Sequence, residues 1–110
     1  MAQTTLHLYA TIGEAHYCRK LVANILSRGW YISVNDGEEW TVRHSRKRSE
    51  ILGAMATTGY DVLRMSDMDE RSLGSFYIVY GNDPSGEEII SDCSGNALCE
   101  KIYDEVMGTA

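Results

Sequence analysis

The chain has 110 residues, 44% hydrophobic and 24% charged, with one Pro, ten Gly and a formal net charge of −6. That is the composition of a single globular domain with a modest core, and it excludes a largely disordered, collagen-like or low-complexity chain. No apolar run reaches the roughly 20 residues of a membrane span, and no short apolar run follows a basic start as in a secretory signal, so a soluble cytoplasmic protein is expected.

Leu6 and Leu8 alternate with His7 and Tyr9 and predict a short strand ending near Ala10. Thr11-x-x-Glu14 is a capping box that opens a helix over about residues 12–28. Its apolar stripe runs through Ala15, Cys18, Leu21, Val22, Ile25 and Leu26, and Gly29 is a natural left-handed stop. Trp30, Ile32 and Val34 alternate up to Asn35-Asp36-Gly37, and Trp40 and Val42 resume the alternation, which predicts a hairpin. Ser45 is placed to cap a second helix over about 46–58, with Ile51, Leu52, Ala54 and Met55 inward. Val62 and its neighbours predict a strand near 60–65.

Phe76-Tyr77-Ile78-Val79-Tyr80 is the strongest strand signal, apolar on both faces and so expected inside a sheet. After the turn cluster 81–86, Glu88-Ile89-Ile90-Ser91 returns as a strand. Ser94 then caps a last helix over about 95–107, with Leu98, Ile102, Val106 and Met107 on one face and Gly108 at its end. The element order βαββαβββα predicts an α+β domain over 1–110: a mostly antiparallel sheet with three helices packed on it.

Few residues point to chemistry. His7, His16 and His44 are scattered over different elements, so no metal site is expected. Cys18, Cys93 and Cys99 are odd in number and form no C-x-x-C pair, which suits packed free thiols in a reducing compartment. There is no nucleophile elbow, and the Glu38-Glu39 and Glu87-Glu88 pairs point to opposite strand faces rather than forming an acid–base dyad. The 81–86 cluster lacks the Lys-Ser/Thr of a phosphate loop. No catalytic residue and no cofactor is therefore expected.

Charge is the informative feature. Residues 1–59 hold seven Lys/Arg against five Asp/Glu, whereas residues 60–110 hold three against eleven. The acidic half offers Asp67, Asp69, Glu70, Asp83, Glu87, Glu88 and Asp92 as candidate protein-binding residues, with Tyr77 and Tyr80 as apolar anchors beside them. The opposing cluster, Arg43, Arg46, Lys47 and Arg48, is the candidate nucleic-acid contact. Three of its cations are expected in the first turn of the second helix, where the dipole prefers anions.

The segments 33–42 (Ser33-Val34-Asn35-Asp36-Gly37-Glu38-Glu39-Trp40-Thr41-Val42), 74–82 (Gly74-Ser75-Phe76-Tyr77-Ile78-Val79-Tyr80-Gly81-Asn82) and 88–92 (Glu88-Ile89-Ile90-Ser91-Asp92) resemble small accessory proteins encoded by phages, prophages and plasmids. The resemblance covers about residues 30–95 in texture rather than in a diagnostic motif, and it carries over no functional residue. It implies an accessory protein of a mobile element acting inside a bacterium. The expectation is a non-enzymatic acidic protein that engages, and inhibits, a host nucleic-acid-handling or defence protein through its C-terminal half. The alternative is a nucleic-acid-binding factor using residues 43–48, which the net charge of −6 opposes. No membrane partner is expected.

Overall fold

A computed structural model describes residues 9–82 and 84–108. Its elements in chain order are α1 (Ile12–Ser27), β1 (Tyr31–Asn35), β2 (Trp40–Ser45), α2 (Arg48–Ala54), β3 (Tyr60–Ser66), β4 (Ser72–Val79), β5 (Ile90–Cys93) and α3 (Ala97–Met107). The expected strand at 6–10 lies outside the described residues except for Tyr9 and Ala10, which form a bend. The five strands form one sheet in the order β2-β1-β3-β4-β5, with every neighbouring pair antiparallel. The fold is α+β. Because β2 and β3 are both antiparallel to β1 and lie on its two sides, they run parallel to each other. Parallel strands need a crossover, and α2 supplies it.

Alternation along the strands assigns the two faces. Ile32, Val34, Val42, Leu63, Met65, Phe76, Ile78 and Ile90 are buried on one side. All three helices pack there: α2 against β1 and β2, α1 against β1 and both other helices, α3 against β4 and β5. Each large side chain so buried contributes about 1.5–3 kcal/mol. The residues between them, including Tyr31, Ser33, Val62, Arg64, Tyr77 and Val79, stand on the other face, which no helix of the described residues covers.

The capping box at the start of α1 forms as expected, and it has a second use. Thr11 Oγ1 accepts the Glu14 amide at 3.1 Å while Glu14 Oε1 accepts the Thr11 amide at 3.0 Å. The same buried carboxylate also accepts the amides of Gly81 at 2.7 Å and Asn82 at 3.1 Å. The chain after β4 is thereby pinned to the helix end. Gly13 lies so close to this loop that a Cβ on it would stand 2.2 Å from the Pro84 carbonyl oxygen.

α2 is shorter than its pattern predicts. Ser45 does not cap it in the expected way: its hydroxyl donates to Glu50 and accepts the Lys47 amide. The helix begins at Arg48 and stops at Ala54, because Met55 turns extended at ψ 153° and Ala56 adopts a left-handed φ of 60°. Buried Asp61 holds that strained backbone by accepting the Ala56 amide at 2.8 Å. The first turn therefore carries only Arg48 of the basic cluster, and most of the expected conflict with the dipole disappears. α3 is capped by Asn96 rather than Ser94, whose hydroxyl instead accepts the Ser75 amide. At Gly74, φ is 138° and a Cβ would lie 2.2 Å from Cys99 Sγ, so only glycine lets α3 approach β4 this closely.

Candidate functional site

The acidic residues do not gather in one place. Ser66 pairs with Ser72 and Tyr60 with Val79, so the β3–β4 turn and the loop after β4 lie at opposite ends of a seven-rung ladder, roughly 20 Å apart. Asp67, Asp69 and Glu70 are at the first end. Asp67 is committed to its own turn, accepting the amides of Asp69 and Arg71, both at 2.9 Å. Glu87 and Glu88 are exposed at the other end. Asp83 lies outside the described residues.

Glu87, Glu88 and Asp92 have company that the pattern of the acidic loops did not reveal. β5 is an edge strand, and between it and α3 runs a cleft of about 380 Å³ lined by Ile90, Ser91, Asp92, Cys93, Glu100, Tyr103 and Asp104. It continues past Ile90, Ser91 and Tyr103 into a second hollow of about 450 Å³ bordered by Glu87 and Glu88. Glu87, Glu88, Glu100 and Asp104 thus border one groove, and Asp92 lies at its β5 edge, with its side chain on the Tyr77 side of the sheet and its Oδ1 accepting the Cys93 amide at 2.9 Å. Two of them, Glu100 and Asp104, were read in sequence only as the polar side of α3. Glu105, one residue on, faces the opposite way. It pairs with Arg28 at 2.6 Å and accepts from Asn24, and these bonds hold its carboxyl below the usual range.

The two tyrosines separate. Tyr77 is half-buried on the helix-free face, in register with Asp92. Tyr80, a candidate anchor, is instead a core residue, 6% exposed, with its phenol donating to Asp61 at 2.6 Å. Burial pushes that phenol far up and the neighbouring Cys18 thiol up to about 12. Burial also raises Asp61 from 3.8 to about 6, against the lowering effect of the bonds from Tyr80 and Ala56. These groups are sealed in the core.

The basic cluster divides as well. Arg46 is used structurally: its guanidinium donates to the carbonyls of Leu26 and Trp30, both at 3.1 Å, and so satisfies the end of α1. Arg43, Lys47 and Arg48 are exposed and make no ion pair among the described residues. Arg43 and His44 together oppose the single residue Ser33, a β-bulge. His44 takes a left-handed φ of 50°. Its amide donates to Ser33 Oγ at 2.8 Å, its Nδ1 lies 3.1 Å from Ser66 Oγ, and its ring stacks on Tyr31 at 4.0 Å with a 6° tilt. On the same face the Arg64 guanidinium lies 4.4 Å from the centre of the Trp40 ring.

Among the described residues no group of three or more His, Cys, Asp or Glu is arranged to hold a metal ion, and the three cysteines are free. No described helix is long and apolar enough to cross a membrane. Comparison with models of known families, with curated proteins and with solved structures finds no match to the chain.

Proposed function

We propose that this chain is a non-enzymatic binding protein that docks a basic surface of a host nucleic-acid-handling or defence protein through the β5–α3 groove. The observation that carries this reading is that Glu87, Glu88, Asp92, Glu100 and Asp104 border one groove along β5, the edge strand of the described sheet. The carboxylates steer a cationic partner and choose its register, while Ile90 and Tyr103 supply the apolar contact that affinity requires. The edge of β5 offers backbone groups for an added strand. A protein whose basic groove normally receives phosphates is the natural target, and filling that groove inhibits it. The resemblance to mobile-element accessory proteins supports a bacterial host and a cytoplasmic site of action.

The test begins with capture from a bacterial lysate and continues with binding kinetics on the captured partner. The triple variant Glu87→Lys, Asp92→Lys, Glu100→Lys is expected to lower the on-rate and flatten its salt dependence while the thermal melt stays nearly unchanged. Reversal of Asp69 and Glu70, at the far end of the sheet, is expected to leave the on-rate near wild type. An on-rate indifferent to salt and to the groove variant refutes the reading.

A further inference from the structure

We infer that the helix-free face of the sheet, over β2, β1 and β3, is a platform for a short stretch of single-stranded nucleic acid. Bases stack on Tyr31–His44 and on Trp40, and Arg43, Lys47 and Arg48 contact the phosphates. A second, independent part of the molecule carries this inference, on the opposite side of the sheet from the groove edge.

Three observations support it. The first is the bulge. A left-handed backbone at a non-glycine residue costs on the order of 1–3 kcal/mol and persists only where surrounding contacts over-determine it. At His44 those contacts are Ser33, Ser66 and Tyr31, and together they set two rings parallel on a sheet face that no described helix covers. An ordinary edge strand needs none of this. The second is Arg64 over Trp40. Arg64 reaches there across β1, past its register partner Ser33, whose small side chain leaves the way open. With Arg64 over Trp40 and the Arg46 guanidinium 5.7 Å from the centre of the Tyr31 ring, the face offers both aromatic rings and guanidinium planes, and unstacked bases stack on either. A duplex keeps its bases inside and cannot use it.

The third is where the charge lies. Net charge treats the chain as a point, but the fold sets the groove carboxylates far from the basic cluster. Arg43 lies on the β2 edge and Lys47 and Arg48 directly after it, whereas the carboxylate groove lies at the β5 edge, four strand spacings away. That is about 19 Å, roughly two Debye lengths at physiological salt. The groove therefore does little to repel a phosphate at Arg43, Lys47 or Arg48. Glu50, the acid nearest the cluster in sequence, is hydrogen-bonded to Ser45 instead. Closer acids lie in the β1–β2 turn before Trp40, where Asp36 accepts the Glu38 and Glu39 amides and Glu38 and Glu39 are exposed, and in the β3–β4 turn, where Asp67 is engaged in its own turn with Arg71 beside it.

The experiment is a titration of the whole chain into a fluorescent homopyrimidine oligonucleotide of about 12 nucleotides, as DNA and as RNA, with a duplex of equal length alongside. Saturable binding to the single strands, weaker for the duplex, is expected. Replacing exposed Arg43, Lys47 and Arg48 by Ala is expected to reduce the slope of log affinity against log salt by about 2. Trp40→Ala is expected to weaken binding about tenfold, and Trp40→Phe to restore most of it. No saturable binding at low salt overturns the inference. So does a duplex bound as tightly as the single strand, or a triple variant whose salt slope equals that of wild type.

Discussion

Asp61→Asn is the most informative single substitution in the core. Asp61 is fully buried, and its Oδ2 accepts from both Tyr80 and Ala56 while its Oδ1 has no partner. Burial raises its pKa from 3.8 to about 6. The folded protein therefore binds this proton more tightly than the unfolded chain does. The stabilisation is fully present below pH 4 and is lost as pH rises through 6, a difference of about 3 kcal/mol at 1.36 kcal/mol per pH unit. Carboxylates of lowered pKa, such as Asp36 and Glu105, act in the opposite sense. They act equally on wild type and variant, so the difference between the two proteins isolates Asp61. Asparagine keeps the shape and an acceptor for Tyr80 and Ala56 but cannot ionise. Urea melts at pH 4, 5, 6 and 7 are expected to show the variant gaining about 2.4 kcal/mol relative to wild type across that range. Any constant offset reports the amide in place of the carboxyl. A difference that stays flat with pH, or falls, refutes the assignment of Asp61 as a carboxylate ionised at the expense of folding.

Two further substitutions test the packing. Gly13→Ala exchanges glycine for the best helix former, which by propensity alone stabilises by about 1 kcal/mol. Its Cβ would meet the Pro84 and Ser85 backbone at 2.2–2.4 Å, so a net loss of roughly 1–3 kcal/mol is expected in a denaturant melt; a gain would show that the 84–86 loop does not sit against α1. Leu21→Ala, at a site 1% exposed in the middle of α1, is expected to cost roughly 2–5 kcal/mol in the same assay.

Much of the fold is written in local chemistry. The capping box at Thr11 and Glu14, the stripe from Cys18 to Ile25, the turn at Asn35-Asp36-Gly37 and the β4 signal depend on residues within a few positions of one another, and each forms where the pattern places it. The apolar stripe of α3 is also local, and Ile102 and Val106 are buried as expected. Sequence likewise separates the chain into a basic first half and an acidic second half.

Tertiary structure decided what local patterns cannot rank, namely competition among the several partners a polar group can take. Ser45 had several acceptors and donors within reach, and Glu50 and Lys47 took it, which displaced the start of α2. Asp61, five residues away, captured the Ala56 amide and ended the disturbed segment after α2. Arg46 was drawn from the candidate phosphate contacts to the carbonyls of Leu26 and Trp30 at the end of α1, and Tyr80 from the candidate anchors into the core, where its phenol donates to Asp61. The groove is the clearest case. Glu87, Glu88 and Asp92 are near in sequence, but Glu100 and Asp104 join them only because Gly74 lets α3 pack closely against the sheet beside β5. A charge count sees how many carboxylates a segment holds, and only the packing of α3 on β4 and β5 determines which of them share a surface.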